Sequence, residues 1–100
     1  MYRIKSRTYN IAERLGIKIR ASQRAEKKID ILIPTSKGVR VISVGQIGYF
    51  DYPTYLELER VGKIERGTAA ARKRAYEKRH RKDLSKKGTA GYYAYMLLWT

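Results

Sequence analysis

Two stretches in the first half of the chain have the apolar–polar pattern of β-strands. Residues 28–33 (KIDILI) alternate, with Ile29, Ile31 and Ile33 on one face, and residues 39–44 (VRVISV) are rich in β-branched side chains. The five residues between them, PTSKG, begin with proline and end with glycine, as turns often do. The pattern therefore predicts an antiparallel hairpin.

The residues before this hairpin give weaker signals. Residues 2–5 alternate and predict a short strand. The segment IAERLG predicts a brief helix that Thr8 or Asn10 caps and Gly16 ends. Residues 17–27 are basic and predict a solvated loop, with a short strand in its first three residues.

Three helices are predicted after the hairpin. Residues 53–61 begin with proline, which suits the first turn of a helix. Residues 68–82 are rich in alanine and cations, and Thr68 is the expected cap. Residues 90–99 form an aromatic C-terminal helix that Thr89 caps.

These elements predict one α+β domain over residues 1–100, in which a small antiparallel hairpin or sheet packs with short helices. The chain has no cysteine, which excludes disulfides and thiolate metal sites. The N-terminal residues are basic without an apolar core, unlike a signal peptide. The longest apolar run has eight residues, whereas a membrane span needs about 20, so we expect no span.

Positive charge is concentrated in residues 60–87. This segment carries 12 Lys/Arg against 3 Asp/Glu, a net charge of +9 out of +14 for the whole chain. Repulsion this dense favours an anionic partner, either nucleic acid or an acidic protein surface, over a face that is merely solvated. The candidate binding residues are Arg72, Lys73, Arg74, Lys78, Arg79, Arg81, Lys82, Lys86 and Lys87.

Such cations contact phosphates without reading base sequence. The predicted basic helix has no Asn or Gln to recognise adenine edges. Glu77 stands four residues from both Lys73 and Arg81, so ion pairs along the helix are expected.

Aromatic residues admit more than one interpretation. Tyr49, Tyr52 and Tyr55 recur every three residues and indicate either packing on the sheet or a platform for stacked bases. The C-terminal YYAYMLLW is interpreted as a core anchor, as a docking patch for a partner, or as an interfacial membrane helix. Trp99 is expected to be largely buried. The anchor or docking residues are Tyr92, Tyr93, Tyr95 and Trp99.

No catalytic residue, metal site or cofactor is predicted. His80 is the only histidine, and it stands four residues from Tyr76 and from Leu84 in one apolar helix stripe. A pair of His80 with Asp83 could in principle serve phosphoryl chemistry, but packing beside Tyr76 is the preferred interpretation. The chain has no glycine-rich phosphate loop.

Several segments, in this order, resemble a family of short basic proteins that large double-stranded DNA viruses encode. They are RLG, KKIDILI, VRVISVG, IGYFDYPTY, YEKRHRKD and KKGTAGYYAYMLLW, and they cover residues 10–99. The family has no assigned catalytic residues. The resemblance implies a virion component, located in the virion and in the host cytoplasm or nucleus during assembly.

The expected function is therefore a non-enzymatic structural protein of a large DNA virus particle, as a minor capsid or virion-associated component. Its basic helix would bind acidic capsid-protein surfaces, viral nucleic acid, or both. A nucleic-acid-binding packaging or regulatory protein is the alternative, and a ribosome-associated protein is the third. The sequence leaves the oligomeric state open.

Overall fold

A three-stranded antiparallel sheet and four helices make up the structure, a computed structural model that describes residues 2–100. The predicted α+β fold is confirmed. Backbone contacts divide the chain after Gly48 into a sheet unit and a helical unit, the latter being Tyr49–Thr100. The prediction that the whole chain forms one domain stays a prediction.

The sheet has the order β1-β2-β3, with β1 Lys18–Ala21, β2 Lys27–Thr35 and β3 Gly38–Gln46. The predicted hairpin is formed by β2 and β3. Its turn has two residues rather than five, because strand pairing continues through Thr35 and Gly38. The Thr35 hydroxyl supports this tight turn by accepting from the Lys37 N–H and donating to the Gly38 carbonyl, both at 3.2 Å.

The N-terminal elements differ from the prediction. Residues 2–5 form no strand, and α1 spans Ser6–Leu15. Lys5, not Thr8 or Asn10, is the N-cap, because Thr8 lies inside the helix and is fully buried. Gly16 ends the helix as predicted, with φ +72°, a conformation that favours glycine. Strand β1 overlaps the short strand predicted for residues 17–19, continues to Ala21 within the predicted loop, and places Ile19 opposite Ile31.

Helix α1 contacts β1, and apolar side chains from the helix and the sheet are buried in the sheet unit. The fully or almost fully buried residues are Ile11, Ala12, Ile29, Ile31, Ile42 and Val44. The register pairs Ile31 with Ile42 and Ile29 with Val44, so these four side chains share one face of the sheet.

A buried carboxylate lies on the opposite face of the sheet. Asp30 is 2% exposed, and its Oδ1 accepts from the hydroxyls of Ser22 at 2.6 Å and Ser43 at 2.7 Å. Its Oδ2 accepts from the backbone N–H of Gln23 and from Nε of Arg20. Burial raises the pKa of Asp30, but the combined effect of these hydrogen bonds is larger and opposite. The pKa is therefore lowered from the ordinary 3.8 to about 2. Asp30 thus links all three strands and their loop in its ionised form.

The helical unit contains α2 Tyr52–Arg60, α3 Thr68–Arg79 and α4 Ala90–Leu98. Asp51 caps α2 by accepting from the Thr54 N–H at 3.0 Å. Thr89 caps α4 as predicted by accepting from the Tyr92 N–H at 3.3 Å. Both caps fit the preference of helix N-termini for short oxygen-bearing side chains.

Helix α3 begins and ends differently from the prediction. Its N-cap is Gly67 rather than Thr68, and the carboxylate of Glu59 on α2 accepts from the Ala69 N–H at 2.6 Å. The helix ends at Arg79 rather than Lys82. The Asp83 N–H bonds to the His80 carbonyl at 2.8 Å, which directs the chain into a series of turns.

Replacing Asp30 with Asn should reduce the free energy of unfolding by about 2 kcal/mol at pH 7, because a depressed carboxylate pKa favours the folded state. This stabilisation is complete above the ordinary pKa of 3.8 and disappears as the pH falls through about 2. Chemical unfolding between pH 2 and 7 measures it. Exposed Glu13→Gln is the charge-matched control, and equal pH dependence in wild type and Asp30→Asn would contradict this role.

Replacing Glu59 with Ala should destabilise the protein by about 1 kcal/mol, the usual cost of losing a helix cap. The effect combines a lost acceptor for the Ala69 N–H with a lost negative charge at a helix N-terminus. Thermal unfolding followed by circular dichroism measures it. Glu65→Ala, which removes an exposed carboxylate near the same helix, is the control and should change little. Identical losses in both variants would argue against the cap.

Candidate anion-binding surface

Helix α3 and the turns after it display the predicted basic side chains to solvent. We call this the basic surface, and its members are Arg72, Lys73, Arg74, Lys78, Arg79, Arg81, Lys82, Lys86 and Lys87. Eight of the nine are exposed, and Lys73 is half-buried. On the exposed side of α3, Arg74 and Lys78 are four residues apart, while Arg72 and Arg79 are seven apart. They form two rows along the helix.

Within residues 2–100, no cation of the basic surface forms an ion pair with a carboxylate. The predicted pairs of Glu77 with Lys73 and Arg81 are therefore wrong. Glu77 instead accepts from the Tyr95 hydroxyl at 2.7 Å, which turns its carboxylate towards α4. The charge of the basic surface is consequently left uncompensated by the helical unit's own ion pairs.

Two cations of α3 lie over tyrosine rings of α2. The guanidinium of Arg72 is 5.8 Å from the ring centre of Tyr55, and Nζ of Lys73 is 5.0 Å from that of Tyr52. These cation–π contacts orient the cations while leaving their charge intact. Tyr52 and Tyr55 therefore pack within the helical unit, while Tyr49 is 67% exposed. Packing on the sheet and stacking with bases both stay predictions.

Tyr76 on α3 lies at the centre of an aromatic stack with His80, Tyr95 and Trp99. Its ring is 4.4 Å from Trp99 at an interplanar angle of 11°, and 4.2 Å from His80 at 26°. Tyr95 stacks on it from α4 at 6.4 Å. Tyr55 on α2 reaches Trp99 at 6.4 Å. Offset stacking of this kind adds stability beyond the buried area, and here it connects all three helices.

Burial and neighbouring carboxylates keep the phenols of this stack protonated. Burial, followed by the hydrogen bond to Glu77 and that carboxylate's charge, raises the pKa of Tyr95 to about 12. Burial and the nearby charge of Asp83 also raise the pKa of Tyr76, against a smaller opposite effect of Arg79. Tyr95 therefore stays a hydrogen-bond donor to Glu77 across the physiological pH range.

The C-terminal segment is packed against the other helices of its unit. Leu97 and Leu98, at 0% and 2% exposure, are its buried residues. Trp99 is half-buried, with its ring stacked on Tyr76, and its predicted burial in the core or against a partner stays a prediction. Tyr92 and Tyr93 are half-buried and meet edge to face at 5.7 Å. Tyr95 and Trp99 thus act as internal anchors, and docking by Tyr92 and Tyr93 stays a prediction.

His80 and Asp83 lie close together, with Nδ1 3.6 Å from Oδ2 and about two-fifths of each side chain exposed. The predicted packing of His80 beside Tyr76 is confirmed. Asp83 also packs against Gly91, where an added Cβ would lie 2.9 Å from the Asp83 Cβ. Among residues 2–100, no three His, Asp or Glu side chains gather as a metal site would require.

The sheet unit is also strongly basic, although the sequence pattern drew attention only to residues 60–87 as a binding segment. Residues 1–48 carry 11 Lys/Arg against 3 Asp/Glu, a net charge of +8, compared with +6 for residues 49–100. Of these acids, Asp30 is buried and Glu26 pairs with Arg24 at 2.6 Å. A charge count over residues 1–48 would have revealed this, but their cations are spread along the sequence. The exposed ones are Arg3, Arg7, Arg14, Lys18, Arg24, Lys37 and Arg40.

No family model, curated protein or solved structure matches this chain. The viral resemblance therefore stays a prediction. Across residues 2–100, none of the helices has both the length and the hydrophobicity needed to cross a membrane.

Replacing Trp99 with Ala should lower the free energy of unfolding by about 3 kcal/mol, at the lower end of the range for buried aromatics because the ring is only half-buried. The loss should come from the contacts with Tyr76 and Tyr55. Calorimetric unfolding measures it, and Trp99→Phe, which keeps a stacking ring, should recover most of the stability. Unchanged stability in Trp99→Ala would show that the residue is not an anchor.

Proposed function

We propose that this protein is a non-enzymatic structural component of a large DNA virus particle that binds an anionic partner through the basic surface. The observation that supports the binding function is a set of eight exposed cations on α3 and residues 80–87 that form no ion pair with any carboxylate of residues 2–100. The viral setting rests on the resemblance of the sequence segments. Acidic capsid-protein surfaces and the viral genome are the two anionic partners that this setting offers.

The physical basis of binding is relief of repulsion. In one of the two rows, Arg74 and Lys78 hold like charges on neighbouring turns of α3, which destabilises an isolated helix. The cap from Glu59 and the stacking of Tyr76 on Tyr95 of α4 stabilise α3 against this repulsion. An anionic partner would remove the repulsion and release counterions, so binding should weaken steeply with salt.

The alternative is a nucleic-acid-binding packaging or regulatory protein. The cation content of the sheet unit favours it, because both units then carry charge that can neutralise phosphates. Helix α3 itself offers no Asn or Gln for base recognition. Binding through it would therefore be independent of base sequence.

Changing Arg72, Arg74, Lys78 and Arg79 to Gln removes both cation rows and should release the protein from purified virus particles at lower salt than wild type. If the particle partner is the genome, the same variant should bind random duplex DNA weakly. For this variant, the slope of log binding constant against log salt concentration should be shallower than for wild type by about 0.9 for each lost phosphate contact. Salt extraction of particles and fluorescence anisotropy on DNA measure the two effects.

A matched control changes Arg3, Arg14, Lys18 and Lys37 to Gln, four exposed cations of the sheet unit with the same total charge. If binding is localised to the basic surface, the control should retain most of the affinity. Equal losses in the two variants would show a delocalised charge effect. Absence from purified particles together with tight nucleic-acid binding would overturn the structural role and favour the alternative.

A further inference from the structure

We propose that the free edge of β3 binds an extended acidic segment of a partner protein, which adds to the sheet as a fourth strand. This inference concerns the sheet unit and does not depend on the function proposed for the basic surface. It rests on the exposure of the β3 edge, on the apolar side chains next to it, and on the sign of the surrounding charge.

Strands β1 and β3 are the two edges of the sheet, since β2 lies between them. An edge strand presents unpaired backbone N–H and C=O groups on alternate residues, and proteins usually protect such edges. Strand β1 is protected by its length of only four residues and by Lys18 and Arg20 within them. Strand β3 has nine residues, no proline and a single charged side chain, Arg40. It therefore keeps the features of a strand that can pair again.

The tip of the hairpin also exposes apolar surface beside this edge. Val39 is 63% exposed and Val41 is 45% exposed. The register places Pro34 opposite Val39 and Leu32 opposite Val41, so the four side chains lie on one face of the sheet. A strand added to β3 would cover the two valines with its own side chains on that face.

The charges around the edge select an acidic partner. No Asp or Glu occurs between Asp30 and Asp51, and the charged residues in that interval are Lys37 and Arg40, both exposed. Asp30 itself is buried, and its oxygens are occupied by hydrogen bonds. Carboxylates on an added strand would face these cations without any nearby acid to repel them.

Other occupants fit this edge less well. A second copy paired through its own β3 would offer the Lys37 and Arg40 cations no carboxylate, because residues 31–50 contain no Asp or Glu. Nucleic acid would satisfy the two cations, but it has no amide ladder to extend the sheet and would leave Val39 and Val41 exposed. An acidic extended peptide satisfies the backbone, the valines and the cations together.

The test uses the full chain and a short synthetic peptide of alternating glutamate and valine. In an NMR titration with this peptide, the backbone amide resonances of residues 38–44 of the protein should shift. Val41→Lys should weaken the binding by about tenfold or more, since a charge on an edge opposes strand addition. Val61→Lys is the matched control, because Val61 is 51% exposed in the helical unit and should leave the affinity unchanged.

The variant Arg40→Glu distinguishes selection by charge from non-specific hydrophobic binding. This variant should lose affinity for the glutamate peptide and gain it for a peptide with lysine in place of glutamate. No binding of the glutamate peptide, or binding that Val41→Lys does not change, would overturn the proposal. Two further results would also overturn it. Self-association without peptide, abolished by Val41→Lys, would show that a second copy of the chain occupies the edge. Larger shifts of the β3 amide resonances with duplex DNA than with the peptide would show that the edge binds nucleic acid.

Discussion

Carboxylates that accept hydrogen bonds inside the structure hold this strongly cationic chain together. The chain has 23 Lys/Arg and only 9 Asp/Glu, so its few acids could easily have been used in surface ion pairs. Instead, Asp30 joins the strands, Asp51 and Glu59 cap helices, and Glu77 receives a tyrosine hydroxyl. Most of the donors are backbone N–H groups or side-chain hydroxyls rather than Lys or Arg side chains. Since hydrogen bonds to ionised groups are among the stronger ones, these acids stabilise the fold, and among residues 2–100 none of them pairs with a cation of the basic surface.

Aromatic rings complete this arrangement in the helical unit. Three short helices of 9, 12 and 9 residues have little aliphatic surface to bury. Stacking of Tyr76 with Trp99, and the contact of Trp99 with Tyr55, connect them through large flat surfaces. Arg72 and Lys73 then cover tyrosine rings of α2. The same basic helix is thereby anchored on one side and open to solvent on the other, which is what binding a polyanion requires.

The sequence predicted the elements whose signals are local. The β2–β3 hairpin follows from alternation and a turn, and the start of α4 follows from Thr89. It could not predict contacts between distant residues. The cap of α3 comes from Glu59, ten residues away, and α3 ends early where Asp83 turns back to pack against Gly91. Trp99 was expected to be buried from its chemistry alone, but its ring partners on the other helices, Tyr76 and Tyr55, could not be identified from the sequence.

The candidate binding residues were predictable because their charge is dense in sequence and helix α3 keeps it dense in space. The sheet unit has a similar excess of cations over acids, but they are dispersed over α1, three strands and the segments between them, and the basic residues 17–27 were interpreted as a solvated loop.

Because the acids stabilise the fold and, over the part of the chain that the structure describes, the basic surface does not pair with them, loss of binding can be separated from loss of structure. Cations without carboxylate partners contribute little to stability, and some oppose it through mutual repulsion. Their removal should therefore alter binding while the fold persists, with only the modest stability that Arg72 contributes through its contact with Tyr55 being lost.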